Sequence, residues 1–476
     1  MKGRTMDRRA FLAGSAALLG AAAFPTQSRA RTADYKALVC LSLGGGLDHA
    51  DTVLPTDRAS WDLLRGYLPK IFAGYGAGSG GSSRDLQEIL PLNADNIAAF
   101  GGRTCGLPRE LADVHAMFER GEALVVGNTG ALIEPVTREA MARGSVRLPP
   151  KRHSHNDQET YAQTLGVERD AKPGWGGRFI DALYGGQAGS TAHIFASVKV
   201  KDGLVGDVPF VAGEAARPFT VPTIRPWEYD IFKRAKYLGD YRDDPVLQDR
   251  LRAHLAARDV RSDNVYIQDY ADMSARARRD IDAYRTAYFA SGGLFATVFP
   301  ETRTGRQLRD IARTIAIRGQ LGNPHRQVFG VARGGFDIHS NQSVAQPRML
   351  AEVNDALAAF RSAMLEIGDW NNVAVFTSTD FGRTTIGNNN GTDHGWGGHA
   401  FVMGGGVRGR RIIGELPPID FSNAAYAATR GRLIPSTSTE TLGASLGRWF
   451  GLAETDLDAI FTHRRNFDVL DLDLVV

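Results

Sequence analysis

Five short apolar runs constrain the fold of this chain more than any other feature of its sequence. Each run has the length of a buried strand, β-branched residues recur in them, and polar or glycine-rich loops follow. Segments with helical spacing lie between the runs, and such alternation predicts a largely parallel sheet with helices on both faces. We therefore predict a doubly wound α/β fold. The five runs are Ala37–Leu43, Ala123–Val126, Val328–Val331, Val373–Phe376 and His399–Met403.

The clearest helical pattern precedes the fourth run. Its apolar residues are spaced alternately by three and four, which places them on one face of a helix. Gly368 follows and predicts the end of that helix. A second helix is predicted over residues 306–321. The apolar residues of the first helix are Leu350, Val353, Leu357, Phe360, Met364 and Ile367.

The composition is that of a folded protein, with 43% hydrophobic and 23% charged residues, so a largely disordered chain is excluded. Residues 1–30 hold five basic side chains and one acidic side chain, and the rest of the chain holds 51 basic and 52 acidic side chains. Because the body is almost neutral, the sequence argues against a general nucleic-acid-binding surface.

Residues 1–30 are predicted to be an export signal. Arg8 and Arg9 resemble a twin-arginine pattern, and the apolar stretch Ala10–Phe24 is shorter than the roughly 20 residues that a membrane span requires. Ser28–Ala30 forms a cleavage site of the small-x-small type. We expect the twin-arginine machinery to carry the protein to the periplasm or beyond, with no stable membrane span. A disordered N-terminal helix or an uncleaved anchor is the alternative.

Residues 31–476 are predicted to form one domain with two insertions. Gly74–Ser83 is glycine-rich and predicts a flexible loop. The segment from Pro226 to about Gly292 is charged and helical in composition, and it forms either a cap over the active edge of the sheet or a solvated helical insert. Cys40 lies within the first apolar run and is interpreted as a core residue, so with Cys105 as the only other cysteine no thiolate metal site is expected.

Ligand-type side chains follow the strand-length runs, at the edge where parallel sheets carry their chemistry. Asp48 comes after Gly44–Gly46. A glycine-rich turn after a strand also suits a dinucleotide phosphate, which would indicate an exported nucleotide-dependent oxidoreductase, but the acidic residue favours a divalent cation. Asp337 and His339 follow the third run and, two residues apart, point the same way. A carboxylate and an imidazole are an ordinary zinc or manganese ligand pair.

The fourth run is followed by the densest group of such residues. Asp380 and Arg383 come first, then Asp393, His394 and His399. These residues are predicted to be metal ligands. Asp393 or His394 can instead hydrogen-bond to a ligand without binding the metal.

Ser154 and His155 follow the second run at a greater distance. Ser154 with Asp157 fits a helix cap, and a serine at such a position can also be a nucleophile when a metal lowers its hydroxyl pKa.

In combination, the leader, the GGxD loop, GGFDIH, DFGRT and GTDHG resemble the exported bacterial family called domain of unknown function 1501. That family is grouped with the alkaline phosphatase-like superfamily, so the resemblance implies a two-metal hydrolase. One metal would be held by Asp48, the nucleophile Ser154 and Asp380. The other would be held by Asp337 and His339, with His394 or His399 as its last ligand.

The resemblance further implies that Arg383 clamps a substrate oxygen. The sequence departs from the superfamily at Phe381, where a histidine usually follows the late aspartate, so His155 or His394 would have to replace it. The sulfatase signature is absent, which excludes a formylglycine enzyme.

We therefore predict an exported hydrolase of phosphate or sulfate esters with one or two divalent metal ions, zinc or manganese rather than magnesium or calcium. Ser154, His155 and Arg383 are the predicted catalytic residues, with Ser154 or hydroxide as the attacking group. The alternative is a non-catalytic exported binding or cell-surface assembly protein on the same fold. The substrate is not specified by the sequence.

Overall fold

The computed structural model describes residues 35–76, 81–166, 173–187, 189–202, 208–223, 246, 250, 263–290, 292–427 and 429–475. A central sheet of nine strands organises these residues. Its strands are β1 (Lys36–Ser42), β5 (Ala123–Gly130), β6 (Ser197–Lys201), β7 (Phe219–Pro222), β8 (Arg326–Ala332), β9 (Val373–Ser378), β10 (Gly398–Met403), β11 (Ile412–Gly414) and β12 (Thr437–Ser438). A smaller sheet contains β2 (Leu54–Pro55), β3 (Leu90–Pro91) and β4 (Cys105–Leu107).

The order of strands across the central sheet is β11-β5-β10-β9-β1-β8-β6-β7, with β12 paired to β5. Strand β1 is parallel to β8 and β9, and β6 is parallel to β7 and β8. Strands β11 and β12 are parallel to β5, whereas β10 is antiparallel to both of its neighbours. The prediction of a largely parallel sheet is therefore confirmed, with β10 as the exception.

Helices cover both faces of this sheet. They are α1 (Arg58–Tyr67), α2 (Pro69–Gly74), α3 (Ala112–Glu119), α4 (Arg138–Arg143), α5 (His155–Thr164), α6 (Trp175–Tyr184), α7 (Thr191–Ile194), α8 (Val265–Ala290), α9 (Arg303–Ala316), α10 (Gln342–Glu366), α11 (Thr439–Phe450) and α12 (Glu454–Ile460). Alternate residues of β1 enter two separate cores. Val39 packs with α9 and α10, and Leu38 packs with α6 and α11. This alternation is the period of two that a strand buried on both faces requires.

The predicted helix before the fourth run is α10. Its apolar stripe is buried from Leu350 to Met364, and Gly368 follows with φ 76°, a conformation that glycine adopts without steric cost. The second predicted helix is α9, which ends at Ala316 before a 3₁₀ turn over Arg318–Gln320.

The predicted insertion and leader are described only in part. The C-terminal half of α8 packs on α9, where the Tyr284 hydroxyl contacts Thr314 Oγ1 at 2.6 Å and the Tyr288 hydroxyl donates to Asp310 at 2.8 Å. Residues 1–34, 77–80 and most of 224–262 lie outside the described residues, so the signal, the glycine-rich loop tip and the cap stay predictions. Both cysteines are buried and unbonded to each other. Within the described residues, every helix is too short or too polar to span a bilayer.

Candidate metal centre

The candidate metal centre lies where β1, β8 and β9 end. Because these strands are parallel neighbours, their C-terminal loops meet at one edge of the sheet. The first turn of α5 and the loop before β10 complete the site. Four side chains bring ligand atoms together here, and we call them the edge cluster: His155, Asp337, His339 and His394.

The donor atoms of the edge cluster form two triangles with one shared side. That side joins Asp337 Oδ1 to His394 Nε2 over 3.1 Å. His155 Nε2 completes the first triangle, 3.3 Å from Asp337 Oδ1 and 3.1 Å from His394 Nε2. His339 Nε2 completes the second, at 2.9 Å and 3.1 Å from the same two atoms. Ligands 2.0–2.1 Å from a tetrahedral zinc are roughly 3.3 Å apart, so either triangle matches three ligands of one ion.

The hydrogen bonds of the imidazole rings fix which nitrogen faces the centre. His155 Nδ1 lies 2.7 Å from Asp380 Oδ2, His339 Nδ1 lies 3.3 Å from Asp393 Oδ1, and His394 Nδ1 lies 2.8 Å from the carbonyl of His153. All three partners are acceptors, so Nδ1 is the donating nitrogen of each ring, and Nε2 faces the centre, where a neutral ring offers a lone pair. Lone pairs that converge within 3.1 Å repel one another unless a proton or a cation lies between them. The residues present therefore fit a bound divalent metal ion.

Asp380 supports the edge cluster from behind. Its Oδ2 accepts one hydrogen bond from His155 Nδ1 and another from the Gly45 amide at 3.1 Å. The hydrogen bond from His155 raises the pKa of that imidazole above its usual value, against the effect of partial burial. Asp380 Oδ1 is buried and has no hydrogen-bond partner among the described residues. Asp380 thus contacts His155 on the side away from the centre, whereas the sequence predicted that Asp380 would be a direct metal ligand.

Arg383 is fully buried and contacts protein groups only. Its Nη1 donates to Asp337 Oδ1 at 2.8 Å and to the Gly45 carbonyl at 3.1 Å, and its Nη2 donates to the Thr392 carbonyl. Burial favours the protonated form of Asp337, but the Arg383 guanidinium outweighs it and lowers the pKa of that carboxyl. The Arg383 side chain has no exposed surface and lies beneath Asp337, so its contact with a substrate oxygen stays a prediction.

Asp48 lies deeper than the edge cluster. Its Oδ2 accepts from Gln342 Nε2 at 2.7 Å, and its Oδ1 accepts from the amides of Ala50 and Asp51. Burial raises the pKa of both Asp48 and Asp51. The structure therefore does not bring the predicted ligand Asp48 into the edge cluster. The role of Gln342 was missed, since a helical glutamine carries no sequence signal for such a contact.

His399 also lies apart, on β10 and next to His49. We call these two residues the buried pair. Their rings meet edge to face with centroids 5.4 Å apart, and the backbone amide of Asn128 donates to His399 Nδ1 at 3.0 Å. Burial lowers the pKa of His49 to about 4 and that of His399 to about 3. His399 is consequently a neutral core residue here, and not a closing ligand of the centre.

Ser154 occupies the position before the first turn of α5. Its Oγ donates to Asp157 Oδ2 at 2.5 Å and makes no cap hydrogen bond to the helix backbone. Asp157 also lies 3.4 Å from Lys151 Nζ. The hydroxyl of the predicted nucleophile is therefore held by a carboxylate, while the next residue, His155, enters the edge cluster.

A cleft of about 300 Å³ borders the edge cluster. His155, Asp337 and Asp380 form part of its wall, and the Gly44–Gly45 turn and Gly334 form another part. At Gly45 (φ 111°) an added Cβ would lie 2.3 Å from the Asp337 amide, so this approach requires glycine. A half-exposed carboxylate and imidazole cluster that opens on a cleft is a candidate metal-binding site.

The chain belongs to the family described as "Protein of unknown function (DUF1501)", whose model matches residues 35–461. The resemblance found in the sequence is thereby confirmed. No curated protein matches the chain.

Solved structures that are similar to this chain include a sulfatase and a phosphonate monoester hydrolase. The PsFucS1 sulfatase from Pseudoalteromonas sp. is 8% identical over 88% of this chain and 68% of its own, with a TM-score of 0.34. Ps i-CgsB in complex with k-i-k-neocarrahexaose is 10% identical over 89% and 74%, with a TM-score of 0.32. The phosphonate monoester hydrolase of Agrobacterium radiobacter is 10% identical over 87% and 74%, with a TM-score of 0.32.

Proposed function

We propose that this protein is a metal-dependent hydrolase of phosphate or sulfate esters. The observation that carries the proposal is the convergence of three Nε2 lone pairs and Asp337 Oδ1 beside a cleft of about 300 Å³. A divalent cation at such a centre offsets the negative charge that develops on the ester oxygens. Zinc or manganese suits mixed imidazole and carboxylate ligands better than magnesium or calcium does.

The residues of the chain hold and orient this centre. Asp337 and His394 would hold the ion, with His155 or His339 as a third ligand. Asp380 fixes the ring of His155. In the reaction, a water oxygen bonds to phosphorus or sulfur, the ester bond breaks, and the water proton ends on the leaving alcohol. We assign the attack to water because the hydroxyl of Ser154 donates a hydrogen bond to Asp157 and is held by that carboxylate.

The test combines elemental analysis with a screen of phosphate and sulfate monoesters, using wild type, His394→Ala and the control His399→Ala. We expect about one zinc or manganese ion per wild-type chain, and metal-dependent turnover that His394→Ala removes and His399→Ala retains. Metal binding without turnover of any ester would favour the alternative, a non-catalytic binding protein. No metal after reconstitution would refute the proposal.

We further propose that residues 1–30 direct export through the twin-arginine machinery. The support is the Arg8-Arg9 pair before an apolar stretch too short to span a bilayer. Replacing both arginines with lysine should retain the protein in the cytoplasm, as measured by cell fractionation. Equal export of the variant would refute this route.

A further inference from the structure

Arg303, the first residue of α9, lines the cleft beside the edge cluster. Its guanidinium makes no hydrogen bond or ion pair to any described residue. The arginines around it are all engaged: Arg306 with Asp202 at 2.7 Å, Arg309 with Glu301 at 3.3 Å, and Arg333 with Glu352 at 3.0 Å. Arg303 is therefore the exception in a region where the fold otherwise supplies a carboxylate for each guanidinium.

A partly buried arginine without a carboxylate partner can bind an anion when it lines a ligand cleft. Arginine stays charged at all physiological pH values, and its planar fork binds carboxylate, sulfate and phosphate through two hydrogen bonds. Desolvation of an unpaired charge is unfavourable, so an anion that enters the cleft would be stabilised by Arg303.

The rest of the cleft leaves room for such a group. An added Cβ at Gly334 would meet nothing within 4 Å, so the space in front of this residue is open. Glu159 also lines the cleft, and its Oε1 accepts from Gln163 Nε2 at 3.5 Å. A second anionic group of a substrate can therefore lie in this open space, in the same cleft as Arg303.

We propose that the substrate carries a second anionic group besides the ester that is cleaved, and that Arg303 binds it in this cleft. The substrate class is thus a phosphate or sulfate ester with a further phosphate, sulfate or carboxylate a few bonds away. This inference rests on the proposed function for the identity of the cleaved group, but the binding of the second anion can be measured without turnover.

The test uses the full mature protein loaded with zinc and calorimetric titration of phosphonates, which resist hydrolysis. Methylphosphonate represents the ester group alone, and ethylene-, propylene- and butylene-bridged bisphosphonates represent both groups. We expect wild type to bind the best bisphosphonate at least about tenfold more tightly than methylphosphonate. Arg303→Ala should reduce this ratio to below about twofold, and Arg303→Lys should restore part of it.

Arg348→Ala is the matched control, because Arg348 is an exposed arginine on α10 outside the cleft. Arg348→Ala should keep the wild-type ratio. A preference that came from metal chelation alone would keep the wild-type ratio in Arg303→Ala as well. Gly334→Val should weaken bisphosphonate binding by blocking the open space, with an unchanged melting temperature.

An equal ratio in wild type and Arg303→Ala would overturn the inference, as would a wild type without preference. If the ratio depends on Arg303 but no ester is hydrolysed, the proposed function fails and the anion site stands. If esters are hydrolysed and the ratio ignores Arg303, the hydrolase stands and the anion site fails.

Discussion

The edge cluster and the buried pair both bring imidazole rings into contact, but they leave different atoms available. In the edge cluster, oxygen acceptors take each Nδ1 proton and the Nε2 lone pairs face one another beside a cleft. In the buried pair, His399 Nδ1 accepts a backbone amide hydrogen, and both rings are closed off from solvent. The comparison shows that a histidine can bind a metal only when one ring nitrogen is left without a protein hydrogen bond and solvent can reach it. The number of histidines in a stretch of sequence does not decide this.

The largest effect should come from removing the ligand that both triangles share. His394→Ala should weaken zinc binding by more than about a hundredfold. This loss exceeds the roughly 10- to 100-fold loss of affinity that follows removal of a residue that only hydrogen-bonds to a ligand. His399→Ala should keep the wild-type metal content. Elemental analysis and zinc titration measure both. Equal loss of metal in the two variants would erase the distinction between the edge cluster and the buried pair.

The second effect is a pH-dependent loss of stability that belongs to the buried pair. The unfolded chain protonates a histidine near pH 6.5, whereas the folded pKa of His399 is about 3. The contribution of the neutral ring to the free energy of unfolding is therefore complete above pH 6.5. It is lost as the pH falls toward 3, at about 1.4 kcal/mol per pH unit. His399→Gln, which can still accept from the Asn128 amide, should flatten this slope in urea unfolding of the metal-free protein.

His155→Gln is the control for that measurement. The folded pKa of His155 is raised, so its contribution is present below pH 6.5 and is lost as the pH rises through the folded pKa. This variant should leave the acid limb between pH 6.5 and 4 unchanged. A flattened acid limb in His155→Gln would contradict the assignment of acid sensitivity to the buried pair.

A smaller loss of zinc affinity is expected from a change at Asp380, which contacts His155 of the edge cluster. Asp380→Asn removes the charge that orients His155 and should weaken zinc binding by about 10- to 100-fold in a competition titration at pH 7.5. Asp48→Asn, a change at a carboxylate held by Gln342, should alter zinc affinity by less than about twofold. If Asp48→Asn is as harmful as Asp380→Asn, Asp48 is a ligand, as the family resemblance implied.

The smallest effect should be that of Ser154→Ala. The hydroxyl makes no helix-cap hydrogen bond, so the loss of stability should stay below about 1 kcal/mol. Zinc content should be unchanged, and ester turnover should fall by less than about tenfold. A thousandfold loss of turnover with intact zinc binding would establish Ser154 as the nucleophile.

The sequence predicted the sheet and the neighbourhood of the centre because both depend on local patterns. Apolar runs identify the strands, and parallel neighbours bring Asp337, His339 and His394 to one edge. The sequence could not predict that Arg383 is buried or that His399 is apart from the edge cluster, because both facts depend on long-range packing. The direction of β10 was equally hidden, since an apolar run does not specify whether it lies parallel or antiparallel.

The reversed direction of β10 has a consequence for how this centre can evolve. Because β9 and β10 run in opposite directions, the chain leaves and re-enters the sheet at the same edge, through residues 379–397. This one excursion carries Asp380, Arg383 and His394, and a β-bridge between the last two closes it on itself. Insertions or exchanges within this single interval can therefore change the ligand that both triangles share, and two of the residues that support the edge cluster, without altering the strands.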